Sequence, residues 1–355
     1  MKKTLFFAVI GLLIYSFSGA SNAAQESFAG DWTAKVRDTS KGRMLYLNIS
    51  MEKDGRYRYM NWGSEMPLQD FRGLDVNAAG NVQFSLAREA GTVTFDGLFK
   101  DGKGVGDFKF TPNPGFINTM RSYGYEGITP EKQFSMALHD VGTNWVNELR
   151  SVGYDKVSLD KLIAMRIHRV DAEYIRGIKA LGFDKLSEDK LIAFRIHNVN
   201  AQFIKDVEEM GFKGLSADKL VAMRIHNIDR EFIAKAKALG FNDLTLDQLM
   251  TMRIHKIDEE FIKGVKEMGY SDLPMQKLVS LKIHRVNKDF IKEMEDAGFR
   301  DIPLEKLVTL RIHGIDSKFV KEMRDAGFTN VTVDELVRLK IHGFNSEAIR
   351  KMRGN

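Results

Sequence analysis

Residues Tyr154 to Gly182 read Y-D-K-V-S-L-D-K-L-I-A-M-R-I-H-R-V-D-A-E-Y-I-R-G-I-K-A-L-G, and the pattern returns every 29 residues to the end of the chain. All eight histidines fall on that spacing: His139, His168, His197, His226, His255, His284, His313 and His342. A fixed period of this size marks stacked supersecondary units rather than a globular enzyme core. Eight units follow: 125–153, 154–182, 183–211, 212–240, 241–269, 270–298, 299–327 and 328–355.

Each unit predicts two short helices. Ser158 suits the N-cap of the first, where its hydroxyl accepts a free backbone N–H. Thr129, Ser187, Ser216, Thr245 and Thr332 hold the same slot, and Pro274 and Pro303 replace the cap in two units. Val157 and Leu162 have the spacing of a hydrophobic staple. The second helix starts at Asp171, and equivalently at Asn200, Asp229, Asp258, Asn287, Asp316 and Asn345. Tyr174, Ile175, Ile178 and Leu181 then form one apolar stripe. Gly182 ends the helix in the left-handed conformation. So short a pair cannot bury its stripe alone, and neighbouring units must cover it. The end units read as caps: Gln133 stands where the others have Leu, and Ala348 where the others carry an aromatic.

Ahead of the repeats, Lys2-Lys3, an apolar run from Leu5 to Phe17 and small residues to Ala24 predict a signal peptide over 1–24. The run is shorter than the ~20 apolar residues of a membrane span. Residues 25–115 then show period-2 alternation, with strands expected at 43–51, 82–86, 91–99 and 104–110. Asp101-Gly102-Lys103-Gly104 predicts a hairpin turn, Pro112-Asn113-Pro114-Gly115 a breaker, and 116–124 a connector docked without a flexible linker. The fold class expected is α+β in two parts. A small N-terminal antiparallel β-meander, as a barrel or sandwich, precedes an α-solenoid of eight helix-pair repeats over 125–355. With no cysteine there is no disulfide and no thiolate chemistry. These features together predict a periplasmic or secreted protein.

The repeat text L-S-x-D-K-L-I-A-M-R-I-H-x-V-D-x-E-Y-I…A-L-G-F resembles a helical repeat of bacterial exported proteins, one that also accompanies some membrane metallopeptidases of the β-lactam-sensing antirepressor family. The resemblance covers 125–355 and implies an exported repeat module near an envelope sensing system. It does not extend to the peptidase, because no H-E-x-x-H helix is present. Gly30-Asp31-Trp32 resembles the Gly-x-Trp start of lipocalins over three residues only, and Trp32 reads as a core residue.

Charge discourages a nucleic-acid partner. Residues 25–123 hold 13 basic and 12 acidic side chains, and 124–355 hold 38 and 36. That near balance is not a basic footprint. The histidine ladder is read as structural. Equivalent residues on stacked helices lie about 8–10 Å apart, too far to share a zinc ion. Ser158 and His168 are ten residues apart on one helix, about 15 Å along its axis, so with Asp171 they form no triad. The basic residue two before each ladder histidine suits the last turn of a helix. A second row (Arg176, Lys205, Lys263, Lys292, Lys321 and Arg350) pairs in part with acids three residues earlier and reads as a solvated face.

No catalytic residue, metal site or cofactor is expected. The expectation is a non-enzymatic exported interaction module that binds a protein or peptide, with no membrane span once the signal is removed. The alternatives are a small-ligand or envelope-polymer binder using the β domain, and a hydrolase with a site between the two parts. Caps, stripes and glycine stops repeat, whereas the residue after each histidine does not. Arg169, Asn198, Asn227, Lys256 and Arg285 therefore mark the candidate partner-binding edge, at the turn between the two helices.

Overall fold

The computed structural model describes residues 28–40, 42–53, 57–77 and 79–345. The stretch 1–24 read as a signal peptide and the segment expected to form the second helix of the last unit, with Ala348, lie outside them. The chain forms two compact units, Met1–Arg176 and Gly177–Asn355. The first combines the β-sheet with the opening repeats.

Seven strands make one antiparallel sheet: β1 (Phe28–Thr39), β2 (Gly42–Lys53), β3 (Tyr57–Pro67), β4 (Phe71–Arg72), β5 (Gly80–Arg88), β6 (Gly91–Lys100) and β7 (Lys103–Pro112), in the order β3-β2-β1-β7-β6-β5-β4. β3 and β4 are consecutive in the chain yet stand at opposite edges. Only the turn Leu68–Asp70 joins them, a span of at most about 14 Å. The sheet must therefore curl until its edges approach, and it forms a half-barrel. At the β6–β7 hairpin Asp101 and Gly102 both have positive φ, 50° and 72°, which matches the right-handed twist of the strands.

Alternating residues fill the concave face with aromatic rings. Trp32 is fully buried and meets Phe84 and Phe95 edge-on, at 5.2 and 6.0 Å between centroids. Its indole N–H donates to the Asp96 carbonyl at 3.1 Å, so the one polar atom of the ring is satisfied. Gly104 makes room for it: a Cβ there would lie 2.7 Å from the Trp32 ring and 2.4 Å from Phe99.

The segment read as a breaker ends β7 at Pro112 and then starts a helix. Pro114 occupies the first position of α1 (Pro114–Ser122), and the Asn113 side chain accepts from Gly115 N–H as its cap. The repeats follow. Their first helices are α2 (Pro130–His139), α4 (Leu159–Ile167), α6 (Glu188–Ile196), α8 (Ala217–Ile225), α10 (Leu246–His255), α12 (Met275–Ile283), α14 (Leu304–Ile312) and α16 (Val333–Ile341). The described second helices are α3 (Thr143–Ser151), α5 (Ala172–Lys179), α7 (Ala201–Glu209), α9 (Arg230–Ala238), α11 (Glu259–Glu267), α13 (Lys288–Asp296) and α15 (Ser317–Asp325). The expected caps are in place. Ser158, Ser187 and Ser216 accept from the backbone N–H three residues on, and Thr245 and Thr332 complete reciprocal capping boxes with Gln248 and Glu335. Pro274 and Pro303 give no side-chain bond but supply the extended entry. Leu191, Leu220, Leu249, Leu278, Leu307 and Leu336 are buried between stacked helices.

The first repeat has no repeat before it, and the half-barrel covers that face instead. Phe134 of α2 stacks on Phe108 and Phe28 at 5.7 and 5.9 Å and meets Phe110 at 4.9 Å. Gln133 is fully buried, and its amide donates to the carbonyls of Ala90 and Asn113 at 2.7 and 2.9 Å. Its departure from the repeated Leu is thus explained by the backbone it meets. Gly142 leaves α3 without a side-chain cap, and Glu89 of the β5–β6 turn takes that place. Its carboxylate accepts from Thr143 N–H at 2.9 Å and from the Thr143 hydroxyl at 2.7 Å. Replacing Gln133 by Leu, the residue of the other repeats, should therefore destabilise by about 1–3 kcal/mol in a denaturant titration, because the carbonyls of Ala90 and Asn113 lose the amide that donates to both. A neutral or stabilising result would show that apolar packing alone holds this contact.

Candidate functional site

The candidate site is the end of the first helix, repeated along the array. Its geometry follows from a termination motif. In the third unit Ile196 is the last helical residue and His197 the C-cap. Asn198 turns left-handed at φ 56°, and Val199 N–H reaches back to the Phe194 carbonyl at 2.7 Å. Two of the last carbonyls are satisfied in this way. Arg169, Asn198, Asn227, Lys256 and Arg285 all hold φ between 49° and 56°, and Gly314 and Gly343 hold 60° and 76° in the same slot. The variation read from the sequence at this position thus has a backbone side. Asn and Gly suit left-handed geometry, whereas Arg and Lys adopt it at a cost of about 1 kcal/mol.

The basic residue before each isoleucine is a stacking device. Arg224, Arg253 and Arg311 lie over the rings of Phe203, Phe232 and Phe290 in the preceding unit, at 3.8, 3.9 and 3.9 Å. Lys282 and Lys340 cover Phe261 and Phe319 at 4.4 and 4.3 Å. A second tie runs along the helix starts, where Lys190–Asp218, Lys219–Asp247, Lys277–Glu305 and Lys306–Asp334 pair between successive units. These acids are therefore neutralised at one end of the first helices, and the other end keeps its cations. From Arg195 to Gly343 the six basic-Ile-His-x tetrads contain eight Lys or Arg residues and no Asp or Glu.

Between the stacked cation and the histidine stands the feature the sequence reading passed over. Ile196, Ile225, Ile254, Ile283, Ile312 and Ile341 are 51 to 59 % exposed, and Ile167 in the first compact unit is 42 % exposed. A helical wheel would have found them. Each from Ile167 to Ile312 lies two residues after a buried Met, Phe or Leu, and Ile341 two after the half-buried Leu339, about 200° around the helix and off the packed stripe. In α2 the same position is Leu138, only 3 % exposed.

The ladder histidines from His197 to His342 sit at the ends of their first helices, partly or fully exposed. His139 differs. Trp62 of β3 donates its indole N–H to His139 Nε2 at 3.3 Å, and the rings cross edge-on at 5.9 Å. Burial, helped by the Arg166 charge, pushes its pKa down to about 4. Burial also lowers that of His168. Around His139, Asp140 takes Arg166 at 2.5 Å and Arg88 at 3.4 Å, and Arg88 also reaches Asp70 at 2.6 Å. Among the described residues no group of three or more His, Asp or Glu side chains is placed to hold a metal ion. None of their helices is long and apolar enough to cross a membrane.

Two crevices of about 360 and 320 Å³ open where stacked units meet. Leu239, Phe241 and Ile262 line the first, and Leu181, Phe183 and Ile204, each 58 residues earlier, line the second. The apolar lining recurs. The charged groups do not correspond: Lys266 and Asp272 in one, Glu208 in the other. Comparison with known proteins finds no family model, no curated protein and no solved structure that matches the chain.

His139 yields a pH test. The unfolded histidine takes up a proton near pH 6.5, the folded one only near 4. The unfolded state therefore binds more protons between those values. The contribution of His139 is complete above pH 6.5 and falls as pH drops towards 4. Between pH 7.5 and 5.0 the protein should lose about 2 kcal/mol more stability than its His139→Gln variant in chemical denaturation. Parallel curves would remove His139 as the cause.

Proposed function

We propose that the chain is a non-enzymatic exported interaction protein that binds a protein or peptide partner along the edge where the first helices end. The observation that carries this reading is the exposed isoleucine repeated in every described unit from the second onward. A β-branched apolar residue at an exposed helix end adds little to helix formation, and contiguous exposed apolar surface marks interaction sites. The left-handed Arg169, Lys256 and Arg285 beside it support the same edge, because each holds a backbone geometry that Asn or Gly would adopt with less strain. The resemblance of the repeat text to exported repeat modules agrees with this reading and implies a partner near an envelope sensing system. The small-ligand alternative has less support. The concave face of the half-barrel is occupied by Trp32, Phe84, Phe95, Phe99, Phe108 and Phe110, with Phe134 packed on them. The hydrolase alternative has no nucleophile–base contact among the described residues in its favour.

The test is a trade between stability and binding. Arg169→Asn, Lys256→Asn and Arg285→Asn together should raise stability by about 1–3 kcal/mol, since each relieves left-handed strain. The same variant should weaken capture of the crosslinked partner from periplasmic extract at least about fivefold, with helix content unchanged by circular dichroism. Undiminished capture would move the binding surface elsewhere.

A further inference from the structure

Resting on that interaction reading, we infer that the edge accepts an extended acidic segment of a partner protein bearing an apolar side chain at every third residue.

Three observations within Gly177–Asn355 define the occupant. The first is pitch. α6 with α8, α10 with α12 and α14 with α16 run side by side with Cα atoms within 8 Å. Helices in such contact have axes about 8–10 Å apart, so the exposed isoleucines within each of these pairs are offset by about that distance. A polyproline-type chain, the extended form meant here, advances about 9.3 Å in three residues and places every third side chain on one face. A strand that alternates every second residue advances about 6.7 Å and falls out of register within two rungs.

The second is charge. The six tetrads present eight Lys or Arg side chains and no carboxylate. The second-helix starts add the capping carboxylates of Asp229, Asp258 and Asp316, and Asp206 and Asp229 act on Arg224, so the edge is basic by eight cations to three cap carboxylates. Arg224 and Arg311 are pinned flat on Phe203 and Phe290, with Nε buried and without a hydrogen-bond partner. A guanidinium held in this way is oriented before binding and can meet a carboxylate through its outer N–H groups. A second copy of the chain would match the pitch, but it would bring an equally basic edge against this one.

The third is side-chain identity. The exposed position is Ile at all six rungs, whereas the residue four earlier on the same helix is Ile192, Val221, Met250, Val279, Val308 or Val337. A lipid surface would accept any apolar side chain. A repeated shape fits a repeated contact.

The experiment measures binding of fluorescent peptides to the full chain by anisotropy. The probes are an Ile-Glu-Glu sequence repeated six times and a shuffled peptide of the same composition. Controls are phosphatidylglycerol vesicles and sedimentation velocity of the chain alone. The periodic peptide should bind at least about tenfold tighter than the shuffled one and lose affinity with added salt. An Ile225→Ser, Ile254→Ser, Ile283→Ser variant should lose at least about tenfold while its melting curve stays in place, because the three side chains are exposed. Equal binding of the shuffled peptide, or of the variant, overturns the inference. Vesicle binding that needs the isoleucines, without peptide binding, assigns the edge to lipid, and isoleucine-dependent self-association assigns it to a second copy. If neither peptide binds but capture from periplasmic extract still depends on Lys256 and Arg285, the interaction reading stands and the extended acidic segment falls.

Discussion

Every helix of the array is too short to be stable by itself, and that constraint shapes the molecule. An isolated helix of nine or ten residues is marginal in water, so its stability must come from packing. Each repeat therefore leans on the next, through leucines buried between first helices and through a cation laid over the preceding ring. The interactions are local and identical in kind from unit to unit. An array built in this way lacks only a neighbour at its ends.

At the N-terminal end the half-barrel takes the neighbour's place. Its aromatic interior is continuous with Phe134 of α2, so the core of the sheet and the core of the first repeat are one body. Polar groups fix the orientation where rings alone would slide. Gln133 reads two backbone carbonyls, and Glu89 lends a cap that Gly142 cannot provide. Arg88 ties the sheet to Asp140, next to the His139–Trp62 contact. Buried polar contacts of this kind are costly when broken, so they select one docking of sheet on helix. The half-barrel is in this sense the structural start of the array.

The two ends of each first helix carry different chemistry. At the start, lysines pair with acids of the next unit and the surface is neutral. At the finish, the cations are held on rings rather than on carboxylates, and an isoleucine stands exposed beside them. Stacking thus uses the basic row, with Asp206 and Asp229 acting on Arg224 beside it. The edge is both basic and apolar.

Much of this was legible in the sequence because it is written in local rules. The period, the Ser and Asn caps, the glycine stops and the strand alternation each follow from a few neighbouring residues. Gln133 and Ala348 already marked the ends as different. Which residues form the surface was not legible by the same means. Ile196 and Ile192 look alike in a composition or a motif, and only the packing of successive helices buries one and leaves the other 51 % exposed. The left-handed turn at Lys256 and Arg285 was hidden because neither residue type signals it. The partners of Gln133, Glu89 and His139 lie between 20 and 77 positions away in the chain. The sequence by itself determined the repeat, its helices and their ends, since these depend on short-range backbone chemistry. The tertiary structure alone decided which apolar side chains face water and what stands in for the missing first neighbour, because both depend on contacts between segments distant in the chain.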